Sequence, residues 1–228
     1  MTHDTDISAA DPDGSTDAAA DLVAPAAAVL PTTPVRKRPK PGERRVQILQ
    51  TLASMLELPG ADRITTAALA AKLEVSEAAL YRHFASKAQM FEGLIEFIES
   101  SVFTLVNQIH ERETEPVVQV QKMLTVLLQF AEKNPGMARV MVGDALVFEN
   151  ERLLTRMNQF FERFESQLRQ SLRGRAEDAG STTPTVDANA QASVLTSFAV
   201  GRLQRFARSG FKRSPVEHLD AALQMLAP

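Results

Sequence analysis

From Glu43 onward, apolar residues recur at three- and four-residue spacing, the period of helices that bury one face. Val46, Leu49, Leu52, Ala53 and Leu56 mark the inward stripe of a first helix. It begins near Gly42 or Glu43, runs to about Leu58 and is stopped by Pro59-Gly60. Leu69, Ala70 and Leu73 share one face of a short second helix, and Leu80 and Phe84, four residues apart, point inward from a third. The fourth, from about Lys87 to Ile109, carries Met90, Phe91, Leu94, Ile95, Phe97, Ile98, Val102, Phe103, Leu105 and Val106. That is more than one stripe, so this helix packs on two sides or keeps one side for a partner. A fifth helix starts at Pro116 and ends at Lys133, where Asn134-Pro135-Gly136 stops it. Then come a shorter helix to about Phe148, a long amphipathic one from roughly Asn150 to Arg173, and the loop RGRAEDAGSTTPT. Another long helix, about Asp187 to Arg208, and a last short one after Pro215 complete the chain. Nothing reads as a strand. The expected class is all-α, with one helical unit over 43–88, a larger one over 89–228, and a polar segment, 1–42, ahead of both.

The second and third helices are joined by a tight turn through Glu74 and Val75. Thr65 or Thr66 caps the second helix and Ser76 the third, because a hydroxyl accepts from the free N–H groups of an opening turn. Glu77 stands near the positive end of the third helix. With Leu80 and Phe84 turned inward, Ala78, Ala79, Tyr81, Arg82 and His83 face elsewhere. Two small residues beside a tyrosine, an arginine and a histidine suit a DNA major groove. Ala78 and Ala79 allow close approach to base edges and thymine methyls, while Tyr81 and His83 reach phosphates. Ser86 and Gln89 form a capping box for the fourth helix. Lys87, unfavourable in that first turn, is favourable once a phosphate docks there.

Charge sharpens this picture. The 228 residues carry a net charge of −3, which looks wrong for a DNA binder until it is divided. Residues 1–30 hold six aspartates and no Lys or Arg, whereas residues 36–90 hold ten Lys or Arg against five Asp or Glu. The positive charge therefore lies with the helix-turn-helix, as a footprint on phosphate requires. The first 42 residues are rich in Ala, Asp, Thr and Pro, cannot bury enough apolar surface to offset ordering entropy, and are expected to be disordered. Their end, VRKRPKPGERR, is either a plain basic linker or an arm whose Arg36, Lys37 and Arg38 lie along the minor groove or backbone. There is no cysteine, so no disulfide or thiolate metal site is possible. His3, His83, His110 and His218 are scattered, with no ligand spacing, and no glycine-rich phosphate loop or nucleophile elbow occurs, so neither an enzyme nor a cofactor is expected. No apolar run reaches the roughly 20 residues of a membrane span, and Asp4 and Asp6 stand where a secretory signal would be basic. A cytoplasmic, nucleoid-associated protein without a membrane anchor is expected.

The order Thr65, Thr66, Leu69, Ala70, Val75, Ser76, Leu80, Tyr81, His83, Phe84, Lys87 strongly resembles the N-terminal domain of TetR-type regulators. Glu74 departs from that pattern: the family commonly has glycine there, for a left-handed backbone, and a side chain costs on the order of 1 kcal/mol. The resemblance implies a homodimer, one or two to a palindromic double-stranded DNA site. Its bundle would be built from the C-terminal helices that carry Val194, Leu195, Phe198, Leu203, Phe206, Leu219, Leu223 and Leu226. Three further stretches, at 77–99, 130–170 and 205–215, resemble the nucleoid-occlusion branch of the family. That implies a DNA-bound inhibitor of division that also binds the tail of the tubulin-like protein FtsZ and breaks up its polymers. The tail-binding surface implied here is Phe97 and Ser101 on the fourth helix, with Val126, Gln129, Phe130, Lys133 and Asn134 on and after the fifth. The alternative is a ligand-responsive repressor of the same fold, with Asn107, Met123, Gln129, Asp144, Asn158 and Gln191 as candidate cavity residues.

Overall fold

The computed structural model describes residues 42–58 and 63–226. Arg36, Lys37 and Arg38, the acidic stretch before them and the helix stop at Pro59-Gly60 lie outside the described residues. Within them the chain forms α1 (Glu43–Leu56), α2 (Thr66–Lys72), α3 (Glu77–Tyr81), α4 (Lys87–Arg112), α5 (Pro116–Lys133) and α6 (Pro135–Met141). A 3-10 turn at Asp144–Leu146 leads into α7 (Glu151–Asp178), α8 (Pro184–Arg208) and α9 (Leu219–Leu226). Prolines open α5, α6 and α8, where a missing N–H costs nothing and a fixed φ is already helical. For that reason α8 starts at Pro184 rather than near Asp187. The helix before the 3-10 turn ends at Met141, short of Phe148, because Gly143 adopts a left-handed φ of 85°. Conversely, α7 runs through Gly174 to Asp178 and absorbs half of the expected loop. Leu172 is buried beside that glycine and Arg173 pairs with Glu177 one turn on, which together hold the helix past it.

The inward stripe of α1 is Ile48, Leu52 and Leu56, with Leu49 and Ala53 partly buried. Val46, expected inside, is exposed. Gly136 explains how closely α1 approaches α6: a Cβ there would stand 2.2 Å from the Ala53 carbonyl oxygen. Helix α4 packs against α1, α5, α6 and α7, so it belongs to the core of both halves, and a boundary at residue 88 falls inside its first turn. Met90, Phe91, Leu94, Ile95, Ile98, Val102, Phe103 and Val106 are buried, while Phe97 and Leu105 are exposed. Arg156 of α7 grips Glu99 of α4 through two bonds, 3.0 and 2.6 Å, and the bond to that carboxylate raises the guanidinium pKa above its ordinary value.

Helices α7 and α8, joined by a short connection, pack along their lengths, and α9 completes this end. Of the residues assigned to a dimer bundle, Leu195, Leu203, Phe206, Leu219 and Leu223 are buried within the single chain. Only Val194 is exposed, with Phe198 and Leu226 half-buried. A helix with apolar residues on two sides gives no sign in sequence of which side its own chain takes. Among the described residues no helix is long and apolar enough to cross a membrane, and no group of His, Asp and Glu is placed to hold a metal ion.

Candidate nucleic-acid interface and partner surface

Thr65 resolves the choice of cap for α2: its hydroxyl oxygen accepts from Ala68 N at 3.1 Å. Ser76 does the same for α3, accepting from Ala79 N at 3.3 Å. Between them the chain reverses at Glu74, whose φ of 54° is the left-handed conformation that glycine adopts without cost. The Val75 amide returns to Ala70 O at 3.0 Å and closes the turn. Thr66 and Glu77, read as candidate DNA contacts, hold each other: the Thr66 hydroxyl donates to the Glu77 carboxylate at 2.6 Å and braces the starts of α2 and α3.

On α3 the exposed face is Ala78, Tyr81 and Arg82, related by three- and four-residue steps, with Ser76, Glu77 and His83 exposed beside it. Ala79, expected at the base edges with Ala78, is half-buried on the flank because it follows the inward turn of Leu80. Arg45 of α1 is a functional residue that sequence reading missed. Its guanidinium lies 4.1 Å from the Phe84 ring centre and donates to the His83 carbonyl at 3.0 Å, which fixes the end of the recognition helix. The partners are 38 positions apart, so no local pattern signals the contact.

Ser86 caps α4 by accepting from Gln89 N at 3.2 Å. The reciprocal half of the box reaches one residue further back, with Gln89 Oε1 accepting from Ala85 N at 2.8 Å. Lys87, expected to stand free for phosphate, is paired with Glu149 from the segment ahead of α7.

The second surface lies on α4 and α5. The Phe97 ring is 48% exposed, with its centre 5.9 Å from that of Phe130, which is buried behind it. Ser101 and Leu105 continue from Phe97 at four-residue steps, partly and fully exposed. Gln129 and Lys133 are exposed on α5, and the half-buried Asn134 amide donates to Phe130 O at 2.7 Å. These residues do not share one pocket. Phe97 and Asn134 border an open depression of about 360 Å³ with Val46, Leu49, Ala53 and Met137, which is why Val46 faces outward. Val126 instead lines a separate depression of about 540 Å³ with Ile109, Val118 and Leu223. The residues suggested for an effector cavity do not converge. Asn107, Gln129, Asp144 and Asn158 are exposed, Met123 is in the core, and Gln191 donates to Leu226 O at 3.0 Å.

A capped helix-turn-helix fused through one long helix to a larger helical body defines a DNA-binding regulator of the TetR type. Solved structures of that architecture superpose on it. A TetR family transcriptional regulator, PfmR from Thermus thermophilus, covers 80% of this chain and 95% of its own at a TM-score of 0.66 and 19% identity. The transcriptional regulator FadR from Bacillus subtilis covers 80% and 97% at a TM-score of 0.64 and 12% identity. Residues 48–94 match the model of bacterial regulatory proteins of the tetR family, and residues 114–228 match that of a tetracyclin repressor-like C-terminal domain. The nucleoid occlusion factor SlmA of Photobacterium profundum is 51% identical over 189 residues, 82% of this chain and 96% of that protein. That of Vibrio cholerae is 51% identical over 185 residues, 81% and 94% of the two chains. The chain belongs to the SlmA family.

Proposed function

We propose that this protein is a sequence-specific DNA-binding inhibitor of cell division that acts in nucleoid occlusion. In this reading a homodimer holds palindromic DNA through Ala78, Tyr81, Arg82, His83 and Lys87, with the 36–38 arm alongside. The same dimer captures the C-terminal tail of FtsZ along α4 and α5 and disrupts FtsZ polymers over the chromosome. Family membership supports the first part. The observation that carries the second is Phe97, a large apolar side chain held half in water and stacked on Phe130 when every core position of α4 around it is closed. A short peptide with an apolar anchor fits over that ring, and the exposed ammonium of Lys133 is available to its acidic groups.

The test is a pull-down of purified FtsZ, and of its tail peptide, by protein loaded with chromosomal operator DNA. Wild type should retain both. Phe97→Ala and Lys133→Glu should lose them while keeping DNA affinity. Because Phe97 is half-exposed, its truncation should cost far less than the roughly 3–5 kcal/mol of a buried phenylalanine. A melting curve of the same variant therefore separates a binding residue from a core residue. Wild-type protein that binds DNA but retains no FtsZ would leave a repressor of the same fold as the better reading.

A further inference from the structure

Glu149 belongs to neither surface described above, yet it reaches the DNA-binding end. It sits between the 3-10 turn and α7 and pairs with Lys87, the first residue of α4, across 62 positions of sequence. Its side chain is 9% exposed and that of Lys87 25%, so the carboxylate is the more deeply held partner. Among the described residues no other cation is paired with it. The Lys87 ammonium also lies 5.6 Å from the centre of the Phe91 ring. The segment that carries Glu149 is otherwise lightly held: Val147 and Phe148 before it are exposed. The Glu149 amide donates only to Leu146 O, at 3.0 Å. The ion pair is what fastens this segment to the start of α4.

We propose that Glu149 and a DNA phosphate compete for Lys87, so that duplex binding transfers the ammonium from carboxylate to phosphate and frees the 147–150 segment. The inference rests on the DNA-binding reading and deepens it by adding a residue that sets affinity without touching DNA. One ammonium does not satisfy two anions on different bodies at full strength. Once Lys87 turns outward, a carboxylate at that depth has lost its counter-charge and is driven toward water. The segment then swings out with it, and Val147 and Phe148 go with the backbone. Glu149 is thus a built-in anion that DNA displaces.

The experiment measures binding of a fluorescein-labelled duplex of arbitrary sequence by anisotropy over a series of KCl concentrations. It compares wild type, Glu149→Gln, Lys87→Ala and the double variant. Glu149→Gln should bind roughly tenfold more tightly near 0.1 M salt, with a log–log salt slope steeper by about one unit for each subunit on the duplex. In the Lys87→Ala background the same substitution should change nothing. A Glu149→Gln protein that binds like wild type, or a Lys87→Ala protein with unchanged salt slope, overturns the proposal. Hydrogen exchange on the wild-type protein gives a second readout that does not depend on any variant folding. Duplex should speed amide exchange at 147–150, whereas slower or unchanged exchange there counts against release. Wild type with no affinity for any duplex would remove the DNA-binding reading itself, and this inference with it.

Discussion

Gly136→Ala tests the closest approach in the molecule. The added Cβ would stand 2.2 Å from the Ala53 carbonyl oxygen and 3.0 Å from its carbonyl carbon. Carbon–oxygen contacts settle at about 3.3 Å or more, so α6 and α1 must part by about 1 Å. The obstacle is backbone, with no side-chain rotamer to yield, and α1 is pinned by the buried Ile48, Leu52 and Leu56. Overpacking of a closed core costs about 1–3 kcal/mol, and a rigid obstacle places this site at the upper end. At about 2–4 °C per kcal/mol for a chain of this size, the melting temperature should fall by about 6–12 °C. Moving α1 also moves Arg45, which holds the end of the recognition helix through the His83 carbonyl, so duplex affinity should fall in the folded protein too. Gly174→Ala is the matched control. It lies within α7 with nothing near its Cβ position, so it should hold or raise stability, by up to about 1 kcal/mol. Circular dichroism melts in the far ultraviolet and anisotropy with labelled duplex read both effects. A Gly136→Ala protein that melts within about 2 °C of wild type would mean that the α1–α6 contact is looser than described.

Ala78→Glu, on the exposed face of α3, should abolish operator binding while far-ultraviolet dichroism stays native, since the carboxylate would meet base edges and phosphates; retained affinity would displace the recognition face. Arg45→Ala should weaken binding to every duplex alike and lower stability by about 1–2 kcal/mol, through the lost His83 carbonyl bond and the uncovered Phe84 ring. Loss of sequence preference in that variant would instead point to a base contact. Glu74→Val puts a β-branched residue at a φ of 54° and should lower the melting temperature by a few degrees, about 1 kcal/mol or more. No shift in that melt would mean the turn relaxes to another conformation.

What is legible in the chain is what its own neighbours encode. Thr65, Ser76 and Ser86 cap where their spacing places them, the prolines open three helices, and the strained turn falls on Glu74. Errors arise where a remote element decides. Val46 and Ile48 are both apolar and two residues apart, so α1 could turn either inward. The answer depends on α6, which approaches Ala53 and leaves Val46 on a rim beside Phe97. Gly174 reads as a breaker because its cost, about 1 kcal/mol, is visible in sequence while the burial of Leu172 against it is not. At the candidate site the types of residue are legible, but their partners are not. Thr66 with Glu77, Arg45 with His83 and Lys87 with Glu149 each join positions that no helical period relates.

Because α4 runs unbroken from Lys87 to Arg112, it acts as a ruler as well as a support. Each residue along it adds about 1.5 Å and about 100° of rotation, so the number of residues after Lys87 sets both the height of Phe97 above the DNA end and its bearing. A loop forgives an inserted or deleted residue. A rod does not: one codon gained between Lys87 and Phe97 would swing the aromatic surface by about a quarter turn while leaving every residue of both surfaces in place. The lineage of this protein is therefore free to exchange side chains along α4 but not to change its count, and a chimera of two relatives must be spliced in helical register.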